Sequence, residues 1–473
     1  RNKWCSIGWN IHSSIGQQYL YHTLHTLTSP NTVRKLDSCI DFFIENEELR
    51  IQVQKILLAL SHKSAYSYHY ITTKHNYFNS KKLKTALLLN LLTLITFVLS
   101  FISYTFVLLM IPIFSINLYL HFRNKYAQYN LLDATNNFKL VHKAYSEIEK
   151  LNELRNLIEK ETTVDEKNKI KKLYFLTHFF SAENIVKDDI TTLVFFPLEL
   201  LKILFNIEVI TLELFAKLSV SIKDILKKNF EIIAKVDITI AIADLQVENT
   251  LCKPTFIKNK EIHISEIIHP LITNCIHNDL NLTNKSLLLT GSNMAGKTTF
   301  IRTFTINAIL AQTLGFVFAK KYEAPFSKIN TSIRITDNLE DNTSYYLKEV
   351  KRLKEFIQQA ETNSPYILVL DEILKGTNTI ERIASSYAIL KYLNDTNSIV
   401  LVFTYDLELI DLLEKENYQC QFLQENIVNN QLHFDYKLQL GKIKTTNAIT
   451  ILELQKFPKL ITDLAHTTKK SFS

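Results

Sequence analysis

The chain has 473 residues, 47% hydrophobic and 11% aromatic, which is enough apolar mass for roughly two to four packed domains and too much for a disordered chain. Its 54 Lys and Arg exceed its 47 Asp and Glu, giving a formal charge of +7, a mild surplus that suits an anionic partner without requiring one. Cys5, Cys39, Cys252, Cys275 and Cys420 are far apart and form no Cys-x-x-Cys pair, which argues against a disulfide framework or a zinc site and for a reducing compartment.

The chain opens at Arg1 without Met or a signal-like stretch, so it reads as a fragment or a processed chain. Residues 1–80 have apolar positions at helical spacing and almost no Gly or Pro, and predict long helices. From Thr85 to Leu120 there is no charged residue and no His. As one helix this segment would run roughly 54 Å, well past a bilayer core of ~30 Å, so a long tilted span or two short ones are the options. Lys81, Lys82 and Lys84 before it and Arg123 and Lys125 after it place both ends on the cytoplasmic side, which requires an even number of crossings. The break is expected at Ser100–Ser103 or at Pro112. The competing reading is a buried helical hairpin in a soluble domain.

Residues 126–250 again read as helices. The apolar stretch at 190–218 carries Glu199, Lys202, Glu208 and Glu213 at spacings that leave apolar stripes, and predicts packed amphipathic helices of a soluble core. The run KNKIKKLYF, with Lys171, Lys172 and Tyr174, is a solvated helix face or a contact for phosphates. After Pro254 short β-branched runs alternate with helical ones, the pattern of an α/β nucleotide-binding domain.

Five of the seven glycines fall in this last part, two of them in Gly291-Ser292-Asn293-Met294-Ala295-Gly296-Lys297-Thr298-Thr299. That stretch fits the GxxxxGK[ST] phosphate loop and sits after the apolar strand SLLL and before a helix, where such a loop must be. Its glycines let backbone N–H groups turn toward phosphates at a helix N-terminus; Lys297 would neutralise the β- and γ-phosphates, and the Thr298 hydroxyl would ligate Mg²⁺. YILVLDEI supplies the other half: Asp371 at the end of an apolar strand would hold Mg²⁺, and Glu372 would polarise the attacking water. An ATPase or GTPase site is expected.

The wording around these motifs resembles the MutS family. TGSNMAGKTTFIRT (290–303) is similar to the family's TGPNM-x-GKST loop, including Asn293-Met294, which generic phosphate loops lack. LVLDEILKGTNTIER (368–382) resembles its Walker B segment, and RITDNLEDNTSYYLKEV (334–350) resembles the element in which Ser344 aligns with the family's Ser. IIHPLI (267–272), NDL (278–280) and FDYKLQLGKIKTTNAI match further landmarks in order, and the helical part, with the segment near Asp237, looks like the family's core and lever.

The resemblance implies a homodimer that uses ATP and Mg²⁺. Ser344 of one protomer would approach the γ-phosphate held by the other, acting with Lys297 and Glu372 in a slow ATP-gated clamp on mismatched or branched DNA. Three departures stand out. Tyr405 follows Thr where the family has His, Asn342 replaces a glycine, and the mismatch-reading domain with its Phe-x-Glu wedge has no counterpart in these residues. Tyr405 cannot titrate near neutral pH as a His does.

The expected organisation is multidomain. A helical core segment (1–84) leads into a transmembrane hairpin (85–120) and a helical lever continuation (121–252), and a P-loop ATPase domain of the α/β, ABC type follows (253–473). The protein would be membrane-associated, with the ATPase on the cytoplasmic face. The alternative is a membrane ATPase or a nucleotide-gated scaffold with no DNA role.

Overall fold

The computed structural model describes residues 9–472 except 28, 62–67, 69–70, 72–77, 128, 152–153, 155–162, 179–196, 198, 292–294, 334–344, 363, 429–430 and 443–447. The chain divides into two compact units: residues 9–22 with 39–244, and residues 1–8, 23–38 and 245–473.

Among the described residues the first unit is helical. Its chain order is α1 (Ser14–His25), α2 (Pro30–Glu45), α3 (Glu47–Leu58), α4 (Ser80–Ser100), α5 (Thr105–Ala127), α6 (Tyr129–Glu149), α7 (Val164–Thr177), α8 (Ile207–Ser221) and α9 (Lys223–Glu248), with the unit boundaries falling inside α1, α2 and α9. α7 starts with a capping box, Thr163 accepting from the N–H of Glu166 while Glu166 reaches back to the N–H of Thr163. α9 buries Ile233, Ala234, Val236, Ile240 and Ala241. Each large aliphatic side chain so enclosed contributes about 1.5–3 kcal/mol.

Polar cross-links run through that apolar packing. The carboxylate of Asp237, wholly buried on α9, accepts the backbone N–H groups of His12 (3.0 Å) and Ser13 (2.8 Å) and the hydroxyl of Ser13. Gly16 is required beside it, because a Cβ there would lie 2.3 Å from an Asp237 oxygen. About two turns along α9, Asp244 takes Arg50 (3.2 Å) and Gln54 (2.9 Å) from α3.

The charge-free segment forms two antiparallel helices, α4 and α5, and each is long and apolar enough to cross a membrane by length and composition. The break falls at residues 101–104, while Pro112 lies inside α5. Of the stretch at 190–218, residues 207–218 form most of α8, which buries Val209, Leu212, Phe215 and Ala216, and the accompanying Glu213 accepts the N–H of Asn79 at the start of α4.

The second unit carries two sheets. Its strands are β1 (Thr255–Ile257), β2 (Glu261–Ile267), β3 (Asn278–Thr283), β4 (Ser286–Gly291), β5 (Lys321–Pro325), β6 (Lys328–Ser332), β7 (Tyr366–Asp371), β8 (Ile399–Phe403), β9 (Tyr418–Val428) and β10 (Gln431–Leu440). The helices between and after them are α10 (Lys297–Leu314), α11 (Tyr345–Ala360), α12 (Thr379–Asn394), α13 (Leu407–Leu413), α14 (Ala448–Leu454) and α15 (Lys459–Phe472). A four-stranded sheet has the order β1-β5-β2-β3, and the larger one β10-β9-β4-β8-β7-β6. All neighbours in the larger sheet are parallel except the edge strand β10.

β4, β7 and β8 are buried almost from end to end and apolar through their middles because both faces are covered. Leu287, Leu289, Ile367, Val369 and Leu401 pack on the α10 side with Phe300 and Phe304, while Leu288, Leu368, Leu370, Val400 and Val402 pack with Phe356 of α11, Leu390 of α12 and Leu413 of α13. This alternation fixes the register: Phe403 stands opposite Leu289 on one side and Asp371 on the other, so β4, β8 and β7 end at one edge.

Candidate nucleotide-binding site

At the common edge β4 ends in Gly291 and α10 begins at Lys297. Gly291 has φ +134°, and a Cβ there would come within 2.4 Å of the Leu423 carbonyl oxygen on β9, so only glycine fits this close approach. Gly296, at φ +95°, caps the start of α10. The N-terminus of an 18-residue helix thus faces the edge where the strands stop, a natural position for an anion.

Lys297 is 1% exposed, although it carries an ammonium. Among the described residues its Nζ donates to the Gly291 carbonyl and lies 3.2 Å from the centre of the Tyr405 ring. Burial lowers its pKa to about 7, opposed by the neighbouring Asp371 carboxylate and aided by Lys375. Burial also pushes the Tyr405 hydroxyl up to about 12, so it stays protonated. Thr298 is half-buried in the first turn of α10, Thr299 is exposed and Ala295 is buried.

Asp371 ends β7, and the chain then turns through two left-handed non-glycine residues, Glu372 (φ +57°) and Leu374 (φ +57°). Such conformations are costly and cluster at functional turns. The Glu372 N–H donates to the Phe403 carbonyl (3.1 Å), and its carboxylate pairs with Lys375. The turn is held from behind by Glu349 of α11, which is buried and accepts the Leu374 N–H at 2.7 Å. Burial raises the Glu349 pKa against the opposing pull of the Leu374 and Lys375 N–H groups and the Lys375 charge, and among the described residues no donor comes within hydrogen-bond geometry of its second oxygen.

Tyr405 follows β8 on a fixed segment. Thr404 N–H donates to Leu289, and Asp406 receives a two-pronged pair from Arg382 at 3.0 and 2.6 Å. A cleft of about 120 Å³ beside it is lined by Glu372, Lys375, Arg382, Thr404, Tyr405 and Asp406. A second, about 410 Å³, runs along Ile267, Ile272, Asn278, Gly296, Thr299 and Tyr436. Asn278 joins its walls, donating to the Tyr436 carbonyl (3.0 Å) and accepting the Leu438 N–H (2.7 Å).

Of the residues read from the sequence, Gly291, Ala295, Gly296, Lys297, Thr298, Thr299, Asp371 and Glu372 all come to this one region. Ser292, Asn293, Met294, Asn342 and Ser344 lie outside the described residues. Glu349, Lys375, Arg382 and Asp406 were missed as candidates. Glu349 and Lys375 stand inside the quoted motifs, but the partner of Arg382 is distant in sequence and no spacing announces it.

Residues 287–473 match the family model of MutS domain V. This C-terminal part of the chain is a MutS domain V. It is 29% identical over 268 residues to the DNA mismatch repair protein MutS of Listeria monocytogenes serotype 4a, a match covering 54% of this chain and 31% of that protein. The MutS of Finegoldia magna is 30% identical over 257 residues, covering 52% of this chain and 30% of that protein. That of Leuconostoc citreum is 29% identical over 245 residues, covering 49% and 28%. The chain thus spans about a third of the length of these MutS relatives, and its MutS likeness is concentrated in the part that holds the nucleotide-site motifs.

Proposed function

We propose that this chain is a MutS-type ATPase that binds ATP and Mg²⁺ at the common edge of β4, β8 and β7 and works as a homodimeric, ATP-gated clamp on DNA. The observation that carries the reading is Lys297, an amine shut away at a helix N-terminus with, among the described residues, one carbonyl and a ring for company, and under the influence of the Asp371 carboxylate. A buried cation so placed is costly unless an anion completes it.

The residues fit the group. The α10 N-terminus and Lys297 would hold the phosphates; Thr298 and Asp371 offer the hard oxygen ligands that Mg²⁺ prefers, and the 410 Å³ cleft by Gly296 and Tyr436 would take base and sugar. Bound Mg²⁺ supplies charge neutralisation on the phosphate oxygens. Glu372 would orient the attacking water and take its proton, which requires its carboxylate to leave Lys375. Tyr405, held protonated, would donate a hydrogen bond and not act as a base. Ser344 of the partner protomer, by family resemblance, would complete the site. The α4–α5 hairpin would tether the protein to a membrane, with the ATPase on the cytoplasmic face.

The test is ATP turnover by detergent-solubilised protein, alone and with perfect, mismatched and branched duplexes at one fixed salt concentration. Stimulation by duplex is expected, with a preference for mismatched or branched forms. Turnover indifferent to all three would remove the DNA clamp and leave a membrane-associated ATPase, and the absence of turnover would leave a nucleotide-gated scaffold.

A further inference from the structure

The α4–α5 hairpin changes character along its length. Toward its turn Leu94, Phe97, Phe101, Ile102, Leu108 and Ile111 are between 50% and 80% exposed or close to it, and no residue from 97 to 116 is buried. No charged residue or His occurs from 85 to 120. An exposed apolar surface of this extent is unstable in water and matches hydrocarbon.

Nearer the base a polar layer crosses the hairpin. Asn90 donates to the Phe205 carbonyl (2.5 Å) and Asn117 to that of Leu204 (2.9 Å), while the Asn206 amide donates to the side-chain oxygens of Asn90 (3.1 Å) and Asn117 (2.9 Å). Just baseward, Glu208 at the start of α8 faces His121 at 3.0 Å. On the outer face Arg123 stacks on Tyr119, 5.8 Å from its ring centre, the kind of cation–aromatic pair that settles among headgroups. A layer with a carboxylate beside it belongs at the water side of a membrane, because moving it into hydrocarbon costs several kcal/mol.

The length left beyond that layer is short. Asn90 to Phe101 and Tyr104 to Asn117 are 11 and 13 residues apart, or roughly 16 and 20 Å of helix. The hydrocarbon core is ~30 Å thick, so the tip covers about one leaflet and falls some 10 Å short of crossing.

The turn is built for a place without water. The N–H groups of 101, 102 and 103 donate to the carbonyls of Val98 and Leu99, those of 106 and 107 to Ser103 and Tyr104, and that of Thr105 to the Ser103 hydroxyl. The Ser100 hydroxyl donates to Phe97, and the Ser103 and Thr105 hydroxyls bond each other. Among the described residues the Tyr104 N–H and its hydroxyl, on a side chain 81% exposed, have no hydrogen-bond partner, while the other N–H groups of the turn and its Ser and Thr hydroxyls are answered within it, which lowers the cost of placing it in hydrocarbon.

We propose that the hairpin enters a single leaflet, with its turn near the bilayer midplane and the asparagine layer among the headgroups. The proposal rests on the membrane reading above and replaces two crossings with none, so the protein is held to one face without exposing any residue on the other.

The test uses the full chain on liposomes of phosphatidylethanolamine and phosphatidylglycerol, with Tyr104→Trp at the exposed tip and the parent chain, carrying Trp4 and Trp9, as background. Lipids brominated near the headgroup, at mid-chain or at the chain end serve as depth quenchers. The largest loss of the added fluorescence is expected from chain-end bromines. Equal or larger loss from headgroup-proximal bromines would put the tip at a membrane surface and overturn the single-leaflet depth, leaving attachment intact. Failure of the chain to float with the liposomes would overturn attachment and depth together. Phe101→Asp with Ile102→Asp, both at exposed positions, should release the chain from liposomes while its circular dichroism stays unchanged; continued flotation of that variant would overturn the role of the tip.

Discussion

Asp237 in the helical unit and Lys297 in the α/β unit are both charged side chains almost wholly shut off from water, and they are held in opposite ways. Asp237 is answered by two backbone N–H groups and a hydroxyl, with a glycine kept clear to let the carboxylate in. Among the described residues Lys297 has a carbonyl and a ring face, and the carboxylate that acts on it, Asp371, is only partly buried. Burial with full satisfaction makes a fastening, whereas burial with a deficit makes a receptor for whatever completes it.

The contrast breaks if the two residues behave alike. Lys297→Ala should leave the fold intact or slightly more stable and lower ATP turnover by on the order of a hundredfold or more, as loss of a charge-stabilising group in a closed site does. Glu372→Gln should slow turnover as strongly while nucleotide binding, followed by equilibrium dialysis, persists. Wild-type turnover in either variant would refute the site. Asp237→Ala should do the reverse: it strands two backbone donors in the interior and should cost about 3 kcal/mol, visible as a lower urea midpoint. Nucleotide binding per folded molecule should be unchanged. A large catalytic defect at full stability would show that the fastening has a second role.

How far each unit could be read from the sequence follows the same line. In the α/β unit the spacings that phosphate chemistry favours picked out Gly291, Gly296, Lys297, Asp371 and Glu372, which the fold brings to one edge, and the short apolar runs of β4, β7 and β8 between turn signals read as covered strands. The helical unit was legible only as periodicity. Nothing in the sequence announces that Asp237 meets Ser13 or that Asn90, Asn117 and Asn206 share a layer, since contacts between helices depend on rotation and crossing and not on spacing along one chain. The hairpin falls between: its apolarity and the break at 101–104 were legible, and the polar layer that limits its free length was not.

Tyr405 sharpens the deficit at Lys297. Its ring supplies part of what the ammonium lacks, so Tyr405→Leu should lower stability of the nucleotide-free protein by about 1 kcal/mol. If a bound phosphate takes the place of the ring, affinity for a non-hydrolysable ATP analogue, measured by calorimetry, should rise several-fold in this variant. Unchanged affinity would mean that the ring stays on Lys297 when phosphate arrives.

Glu349 is the intermediate case, and its effect should be the smallest. One oxygen is answered by the Leu374 N–H and the other, also buried, has no hydrogen-bond partner among the described residues, which places it between Asp237 and Lys297. Burial raises its pKa above the ordinary Glu range. The folded chain therefore binds this proton more readily than the unfolded one, and stability falls as pH rises from the ordinary Glu range through the raised value. At neutral pH the fold carries the whole cost of the buried carboxylate, and in acid below the ordinary Glu range it carries none. Glu349→Gln keeps an acceptor for Leu374 without the charge, so it should stabilise the protein at neutral pH, by about 1 kcal/mol. Urea unfolding of both chains across the acid range should show that advantage shrinking as pH falls. An advantage constant with pH would trace to packing and not to the charge, and a loss of stability at neutral pH would mean that the second oxygen is answered when the Ser344 element is in place.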